Sequence, residues 1–479
     1  MATLSQIEHI VVLMLENRSF DCLLGQLYTD RVDFNGLTGS EGNVQTGGSG
    51  QPVRVWNSQS TVPGTMTIPS PDPGEEFSDI ATQLFGLGAA ASNAPPPMAG
   101  FVDDYVRQTK EPPYDPKQVM HFFRPQQVPV ISTLAKSFAV CDQWHASAPN
   151  QTWPNRFFAH CATANGYVNN SPSHFPYMMD SIFERLNATD SDWRVYYHDI
   201  PQALTLSRLW DHIDKFRHFV EFARDAAAGT LPSYAFLEPR YFPDASLGMP
   251  NDQHPPHDVV FGEQLIATVY NAVRASPLWE STLLIITYDE HGGCFDHAPP
   301  PLAIPPGDGR NQEGFAFDRY GVRVPAIIVS PYIAPGTILK AASAGLPHGG
   351  PPHPFDHTSI IATVRKCFGL SEPLSARDAA APDLAPVLQL EQPTNNTLGL
   401  LTIPSYTPSA QDLTAAIGRP LTDMQQSLHR LAAILPAADT DFDQHLGQLQ
   451  SGTLPPAPAP TIIADAKQFI ARKIAAFFG

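Results

Sequence analysis

Residues 283–290 read LLIITYDE, a short apolar run that stops abruptly at two carboxylates. Such a run is too short for a typical helix and is typical of a strand buried on both faces of a parallel sheet. Two other runs have the same character, residues 10–15 (IVVLML) and 324–329 (VPAIIV). Residues 261–275 place apolar side chains near every third or fourth position, which predicts a helix, and residues 358–367 predict a shorter one. We therefore expect an α/β fold with a central, mostly parallel sheet flanked by helices.

Polar side chains follow each of these strands. Glu16 and Asn17 come after the first, Asp289 and Glu290 after the second, and Ser330 after the third. Chemistry in a parallel sheet collects beyond the carboxyl ends of its strands. Adjacent buried carboxylates repel each other unless a cation or hydrogen bonds compensate them. A cation site is therefore one interpretation, and ordinary turns with solvated acid pairs are the other.

The composition excludes several classes of protein. Among 479 residues, 29 Lys and Arg oppose 47 Asp and Glu, which gives a formal net charge of −18. Nucleic acid is not an expected partner, because no cluster of basic residues is present. The 49 prolines argue against a coiled coil or helical repeat, since proline clashes inside helices, and 27 Phe, 14 Tyr and 6 Trp supply a core. We expect the prolines in long surface loops.

Cysteine spacing and apolar segments bear on the compartment. The five cysteines are far apart and lack C-x-x-C spacing, which predicts buried thiols rather than disulfides or a zinc site. Residues 10–15 have no basic residue before them and no small-residue cleavage site after them, so no signal peptide is predicted. No run approaches the ~20 residues of a membrane span. We expect a cytoplasmic protein, unless a leader has been removed or another export route is used.

The chain is expected to have two parts. Residues 1–400 form the main domain, within which residues 36–73, rich in Gly, Ser, Thr and Pro, predict an irregular loop or a small hairpin layer. Residues 401–479 differ from it and predict a helical C-terminal extension, with helices near residues 409–417 and 424–434.

The end of the chain predicts an amphipathic helix. A proline-rich linker, residues 452–461 (GTLPPAPAPT), is expected to be extended. The segment that follows has an apolar face made of Ile462, Ala466, Phe469, Ile470, Ile474 and Phe477, and its basic residues, Lys467, Arg472 and Lys473, lie elsewhere. One interpretation is a helix docked on the main domain. The other is peripheral contact with a membrane, since amphipathic helices with basic flanks bind lipid surfaces.

Histidines are concentrated between residues 254 and 357. The motif at residues 251–258 (NDQHPPHD) holds two of them beside prolines that restrict the backbone. A single histidine is more often structural, but a cluster near carboxylates fits proton transfer or charge stabilisation. Oxygen ligands, imidazoles and an alcohol nucleophile together favour phosphoryl transfer assisted by a cation. The histidines of this part are His254, His257, His291, His297, His348, His353 and His357.

Six blocks give the sequence a resemblance to a known family. It resembles the phosphoesterases that include bacterial phospholipases C, plant non-specific phospholipases C and a bacterial acid phosphatase. The resemblance implies a fold like that of the alkaline phosphatase superfamily and makes residues 1–400 the catalytic domain. The blocks occur in the family's order, and they are residues 7–21 (IEHIVVLMLENRSFD), 98–101 (MAGF), 152–156 (TWPNR), 251–258 (NDQHPPHD), 287–293 (TYDEHGG) and 354–358 (PFDHT).

The resemblance also implies a metal-dependent site. Glu16, Asn17, Asp289 and Glu290 match residues that ligate one divalent cation, which could be Ca, Mg, Mn, Fe or Zn. Thr152 matches the family's Thr or Ser nucleophile, which forms a covalent phosphothreonine that water then hydrolyses.

Other matched residues are expected around the phosphate. His254 matches a histidine that contacts a phosphoryl oxygen or protonates the leaving alcohol, and His198, within YYHD, is a second candidate for such a role. The residues expected to contact phosphate or to orient the ligands are His257, His291, His357, Asn155 and Arg156.

The sequence departs from the family pattern in two places. The family has a histidine in the block before the M-x-G-F segment, but residues 74–97 contain none, and Thr82 or Gln83 could take its place. The loop before Thr152 reads Pro-Asn-Gln where glycine is usual. Both departures concern the phosphate pocket and so bear on substrate preference.

The resulting hypothesis is a metal-dependent phosphoesterase. Phospholipase C activity on glycerophospholipids is the first reading, and acid phosphatase activity on small phosphomonoesters is the alternative. A non-catalytic lipid- or partner-binding relative with the same fold is a second alternative. The sequence leaves the oligomeric state open.

Overall fold

The computed structural model describes residues 3–89, 92–108, 115–341, 353–454 and 459–479. The strands are β1 (His9–Leu15), β2 (Gly42–Val44), β3 (Pro52–Arg54), β4 (Ala139–Cys141), β5 (Trp144–His145), β6 (Trp193–Tyr197), β7 (Phe216–His218), β8 (Tyr234–Leu237), β9 (Thr282–Tyr288), β10 (Ala326–Val329), β11 (Thr337–Leu339) and β12 (Phe355–Asp356). The α-helices are α1 (Phe20–Leu24), α2 (Phe77–Phe85), α3 (Phe101–Gln108), α4 (Pro129–Ser137), α5 (Thr152–Cys161), α6 (Ile182–Asn187), α7 (Phe219–Ala228), α8 (Val259–Ala275), α9 (Thr358–Cys367), α10 (Ala376–Ala380), α11 (Ala410–Ile417), α12 (Asp423–Ile434), α13 (Phe442–Ser451) and α14 (Ile463–Phe478). Short 3-10 helices lie at Leu4–Gln6, Gln118–Met120, Pro172–His174, Gln202–Thr205, Ser207–Lys215, Trp279–Ser281 and Ala385–Val387.

Eight strands of the described chain form one sheet, in the order β11-β4-β10-β9-β1-β8-β6-β7. Neighbouring strands pair in parallel, except that β10 is antiparallel to both β9 and β4. All of β9 and residues 10–15 of β1 are buried, as near-continuous apolar strands at the centre of an α/β sheet should be. The helix predicted over residues 261–275 forms as α8, and that over 358–367 as α9. The predicted mostly parallel α/β class is confirmed.

The third predicted strand runs in the direction opposite to that of its neighbour. Antiparallel pairing of β10 with β9 places Ser330 at the edge of the sheet away from Asp289. An antiparallel neighbour needs no crossover helix, and the chain between β9 and β10 returns through loops. An apolar run carries no signal of strand direction, so only two of the three polar strand ends meet.

The register of the two central strands sets the position of those ends. Leu15, the last residue of β1, is paired with Tyr288, the last residue of β9. Glu16 and Asp289 therefore leave the sheet side by side at the carboxyl edge. This is the edge at which a parallel sheet collects its functional groups.

The loops and cysteines agree with the sequence. Within residues 36–73, β2 and β3 form a small antiparallel hairpin, and the rest is irregular. The cysteines are free thiols; Cys367 is partly exposed, and the buried ones are Cys22, Cys141, Cys161 and Cys294. His348 and residues 455–458 of the proline-rich linker lie outside the described residues.

The C-terminal extension is helical and packs on the rest of the chain. The predicted helices form as α11 and α12, and α13 was not predicted. The apolar face of α14 is buried in the main core, with Ile463 in the place predicted for Ile462. None of the helices in the described ranges has the length and hydrophobicity of a membrane span. Because α14 is docked through its apolar face, that face is not free for lipid, and membrane contact stays a prediction.

Candidate active site

The carboxylate of Asp289 is fixed by main-chain donors where β9 ends. Its Oδ1 accepts from the backbone N–H of Asn17 at 3.0 Å and from that of Glu290 at 2.7 Å. Its Oδ2 is buried and has no hydrogen-bond partner among the described residues, although Arg156 Nε lies 3.5 Å away. One oxygen is thus held by the backbone, while the other is available to a ligand.

Glu16, at the end of β1, resembles Asp289 in that one carboxylate oxygen accepts hydrogen bonds and the other does not. Its Oε1 accepts from Arg156 Nη2 at 2.5 Å and from Gln202 Nε2 at 2.7 Å. Its Oε2 is buried and has no partner in the described part of the chain. Arg156 also donates to the carbonyl oxygen of Met14 at 3.2 Å, which anchors its guanidinium beneath the carboxylate.

Asn17 joins the two strand ends to a third carboxylate. Its Nδ2 donates to Glu75 Oε1 at 2.5 Å and to Glu290 Oε1 at 3.0 Å. Ionised carboxylates only accept hydrogen bonds, so the amide orientation is fixed and Oδ1 is left buried without a partner among the residues described. Gly292 packs against Asn17 with a left-handed φ of 58°, and a side chain there would overlap the Asn17 carbonyl oxygen. Glycine at this position therefore permits the close approach of the two backbones.

The residues present fit a divalent cation. Glu16, Asn17 and Asp289 each contribute one buried oxygen without a partner in the described chain, and buried polar atoms nearly always have partners. Carboxylate and amide oxygens are the ligands of hard cations. Burial, and after it Asp289, raise the pKa of Glu16 and of Glu290 well above their ordinary values. A bound cation would offset this cost. Asn17 contacts Asp289 and Glu290, and Arg156 lies beside both Glu16 and Asp289, so the four predicted ligands lie at one edge of the sheet.

Thr152 is the first residue of α5. Its Oγ1 is buried and has no hydrogen-bond partner among the described residues. Arg156 lies four residues later and so on the same helical face. Arg156 reaches Glu16, so this face of α5 is directed towards the end of β1. The start of α5 is held by Asn170, whose Oδ1 accepts from the backbone N–H of Trp153 at 2.7 Å.

His254 reaches the cluster from the 251–258 motif. Its Nδ1 lies 2.6 Å from the carbonyl oxygen of Pro255, which can only accept, so Nδ1 carries the hydrogen. Its Nε2 is buried, lies 3.4 Å from Glu75 Oε1, and makes no hydrogen bond within the described residues. Burial lowers the pKa of His254 to about 4. The neutral ring therefore presents a lone pair, not a proton, to the cluster.

His357 donates a hydrogen bond to the main chain of Asp289. The indole Nε1 of Trp144, which can only donate, lies 3.3 Å from His357 Nδ1. His357 Nε2 must then carry the hydrogen, and it donates to the carbonyl oxygen of Asp289 at 2.6 Å. His357 thus positions the end of β9 through the backbone.

The other two predicted histidines also contact acidic residues. His291 Nε2 lies 2.7 Å from Gln83 Oε1, and its Nδ1 lies 3.3 Å from Glu290 Oε2. His257 Nδ1 lies 2.6 Å from Asp252 Oδ1, which places it at the margin of the cluster. Both geometries suit an orienting role.

Asn155 organises the loop that precedes Thr152. Its Nδ2 donates to the carbonyl oxygens of Asn150 at 2.7 Å and Ala148 at 3.2 Å, and its Oδ1 accepts from the backbone N–H of Ala148 at 3.1 Å. The side chain is therefore occupied by the protein. It positions the loop where the family usually has glycine.

His198 lies apart from the residues described so far. Its Nδ1 bonds to the carbonyl oxygen of Glu238 at 2.9 Å, and its ring stacks on Phe219 with centroids 4.1 Å apart. Its contacts in the described chain include neither Thr152 nor Asp289. The structure thus gives His198 no geometric link to the cluster.

Sequence reasoning missed two acidic residues of the site, Asp72 and Glu75. Glu75 contacts Asn17 and His254, and it comes from the block in which a family histidine was expected. Thr82 bonds within its own helix, and Gln83 contacts His291, so neither takes that place beside Asn17. The sequence at residues 71–76, PDPGEE, carried a usable signal, because it sets Asp72 between two prolines and Glu75 just inside the expected block.

The chain is similar to a known protein family, to named relatives and to solved structures. The sequence model of the phosphoesterase family matches residues 7–371. Non-specific phospholipase C6 of Arabidopsis thaliana is 39% identical over 447 residues, which cover 90% of this chain and 81% of that protein. Phospholipase C A of Mycobacterium tuberculosis strain H37Rv is 30% identical over 454 residues, which cover 82% of this chain and 79% of that protein. Among solved structures, a protein in the alkaline phosphatase superfamily from Vibrio parahaemolyticus matches with a TM-score of 0.30 at 12% identity, covering 53% of this chain and 64% of that one.

Proposed function

The chain belongs to the phosphoesterase family, and on that premise we propose that it is a phospholipase C that cleaves glycerophospholipids with the help of one divalent cation. The observation that carries the proposal is the set of buried oxygens without partners in the described chain, at Glu16, Asn17 and Asp289, together with the equally unpartnered hydroxyl of Thr152. Metal ligands and a nucleophile are the groups that phosphoryl transfer requires.

Glu16, Asn17, Asp289 and Glu290 would hold the cation. A divalent cation in this place polarises phosphoryl oxygens and favours the ionised form of a nearby hydroxyl. Arg156, held beneath Glu16 and Asp289, adds a fixed positive charge where the phosphate charge must be met. The cation and the arginine would together offset the three carboxylates and meet the charge of the phosphate, although the whole chain is acidic.

Thr152 is the proposed nucleophile. Its Oγ1 forms a bond to phosphorus as the bond from phosphorus to the glycerol oxygen breaks, with net transfer of the hydroxyl proton to the glycerol oxygen, so that diacylglycerol leaves and the headgroup phosphate stays on Thr152. Water then attacks the same phosphorus and releases the phosphorylated headgroup and the free hydroxyl. His254 faces this end of the pocket with Nε2. His198 stays a prediction without a role in this scheme.

Two observations favour a lipid over a small phosphomonoester. Three plant relatives that are 37–40% identical to this chain are named non-specific phospholipases C. A cavity of about 260 Å³ also adjoins the motif that carries His254, and Pro256, His257 and Phe261 line it together with Met249 and Tyr406. Its lining also includes Asp258 and Arg419, and this mixture of apolar and polar side chains suits a substrate with both characters.

The test is a product assay. Purified full-length protein, loaded with Mg²⁺, Mn²⁺, Ca²⁺ or Zn²⁺ in turn, is incubated with phosphatidylcholine vesicles and, separately, with a soluble phosphomonoester. Release of diacylglycerol and phosphocholine supports the proposal. Turnover of the monoester alone would assign the protein to the phosphatases. Absence of turnover on both substrates with every metal would favour a binding protein.

A further inference from the structure

Asp72, Glu75 and His254 form a second group of ligand atoms beside the four proposed ligands. Their ligand atoms all lie within 4.8 Å of one another. The ligand atom that His254 offers, Nε2, is 3.4 Å from Glu75 Oε1. Two ligands of one cation lie roughly 3–5 Å apart when each is about 2.1–2.6 Å from the ion. The spacing of this group therefore fits a shared ion.

The orientation of His254 gives independent support. Since Nδ1 donates to the Pro255 carbonyl oxygen, the buried Nε2 directs a lone pair at a carboxylate oxygen of Glu75. Two electron-rich atoms that face each other at this distance need either a proton or a cation between them. The side chain is 2% exposed, and Nε2 has no hydrogen-bond partner among the described residues.

Charge compensation is also incomplete on this side of the site. In the described chain, Asp72 and Glu75 form no ion pair with a lysine or arginine, and Asp72 Oδ1 is buried without a hydrogen bond. Asp423, from α12, adds a further negative charge that raises the pKa of both carboxyls after burial and nearer acids. One divalent cation held by Glu16 and its partners would leave these two carboxylates uncompensated.

Another acidic group in the protein has its negative charge compensated by an arginine. Asp21 and Asp296 lie near His297 as a possible ligand set, but Arg323 is inserted between them. Arg323 Nη2 is 3.0 Å from Asp21 Oδ1, and Nε is 3.0 Å from Asp296 Oδ1. No such cation is inserted between Asp72 and Glu75 in the described chain.

We propose that Asp72, Glu75 and His254 bind a second divalent cation. This cation lies next to the first, because Asn17 touches both Glu75 and Glu290. The inference rests on the proposed function for its role, which is to bind a phosphoryl oxygen of the substrate on the His254 side. His254 then acts through the ion, and its neutral state is the one a metal ligand requires.

The test counts metal on the full-length protein. Wild type and variants are stripped with a chelator, dialysed to equilibrium against MnCl₂, and analysed for manganese and protein. We expect two Mn²⁺ per wild-type chain and the loss of one in Glu75→Gln and in Asp72→Asn. The matched control is Glu76→Gln, which changes an exposed neighbour and should keep both ions. Circular dichroism and thermal unfolding establish that each variant is folded.

The outcomes separate this inference from the proposed function. A wild-type protein that binds one Mn²⁺, lost in Asp289→Asn and kept in Glu75→Gln, overturns the second site and leaves the proposed function intact. Two ions in folded Glu75→Gln and Asp72→Asn proteins also overturn it. Loss of one ion in both variants supports the second site even if phosphatidylcholine is not cleaved, in which case the proposed function fails alone.

Discussion

Glu16 and Asp289 leave neighbouring parallel strands at the same level, because the residues before them, Leu15 and Tyr288, are register partners. Each carboxylate has one oxygen held by hydrogen bonds and one buried oxygen without a partner in the described chain. The main sheet thus positions a pair of ligand atoms before any loop contributes. The predictions below follow from this arrangement and from the packing around it.

Asp289→Asn should remove the metal proposed for the strand ends. The amide cannot supply the charge of Oδ2, and it would place an N–H₂ group where backbone donors or the cation must approach. We expect at least a tenfold loss of Mn²⁺ affinity at this site, measured by calorimetry, with a parallel loss of phosphodiester cleavage. Asp190→Asn, at an exposed position, is the control and should bind metal as wild type does. Unchanged affinity and activity in Asp289→Asn would refute the assignment.

Thr152→Val should abolish turnover while it preserves the shape of the side chain. Loss of a nucleophile costs on the order of 10⁴-fold or more in kcat. Thr152→Ser keeps the hydroxyl and should retain measurable activity. With phosphatidylcholine, acid-quenched wild type should yield a peptide that carries phosphocholine at Thr152, detected by mass spectrometry. Equal rates for the Val variant and wild type would rule out Thr152 as nucleophile.

Arg156→Gln should destabilise the protein chiefly when metal is absent. The guanidinium is 2% exposed and contacts Glu16 at 2.5 Å and Asp289 at 3.5 Å. Removal of one partner from a buried ion pair costs about 3–5 kcal/mol. In urea unfolding with a chelator we expect a loss of this size, which saturating Mn²⁺ should reduce. Arg217→Gln, which removes a surface pair with Glu221, should change the free energy of unfolding by less than about 1 kcal/mol.

The sequence predicted the strands and helices that have a clear local pattern of apolar residues. The buried strands β1 and β9 and the helix α8 are each recognisable because periodicity reports burial. The direction of β10 could not be predicted from the sequence, because an apolar run is compatible with a parallel or an antiparallel strand. α13 was also missed; of its residues only His445 is buried, so it has no strong apolar stripe to recognise.

For the site, the sequence identified the groups at strand ends but not those that arrive through loops. Glu16, Asn17, Asp289 and Glu290 stand next to recognisable strands, whereas Asp72 and Glu75 lie in an irregular proline-rich segment with no periodicity. His198 shows that a position near a strand end is not sufficient. It follows a strand of the same sheet, yet its side chain contacts Glu238 and not the candidate site. Which loop residue folds over the strands depends on long-range packing.

Glu263→Gln should flatten the dependence of stability on pH. Burial raises the pKa of Glu263 from 4.5 to about 8, although the backbone N–H groups of Val130 and Ile131 oppose this shift. The folded state therefore holds a proton that the unfolded state releases above pH 4.5, so this contribution is present at low pH and is lost as pH rises through about 8. The wild-type free energy of unfolding should fall relative to that of the variant by up to about 1.4 kcal/mol per pH unit across this window.

The measurement for Glu263 is urea unfolding at several pH values between 5 and 9 with metal held constant. Glu280→Gln, at an exposed position, should follow the wild-type curve. If wild type and Glu263→Gln show parallel curves, Glu263 is ionised in the folded protein throughout the range.

Ile470→Ala should show that α14 stabilises the fold through its apolar face. Ile470 is 3% exposed and packs in the main core together with Ile474 and Phe477, while Lys467 pairs with Asp244 at the edge of the helix. Truncation of a buried isoleucine costs about 2–5 kcal/mol, because transfer energy is lost and a cavity forms.

The control is Leu400→Ala, at a side chain that is 63% exposed, which should cost less than about 0.5 kcal/mol. Unfolding by urea measures both, and vesicle sedimentation tests lipid binding. A stable Ile470→Ala protein that loses vesicle binding would instead mean that α14 leaves the core to contact lipid.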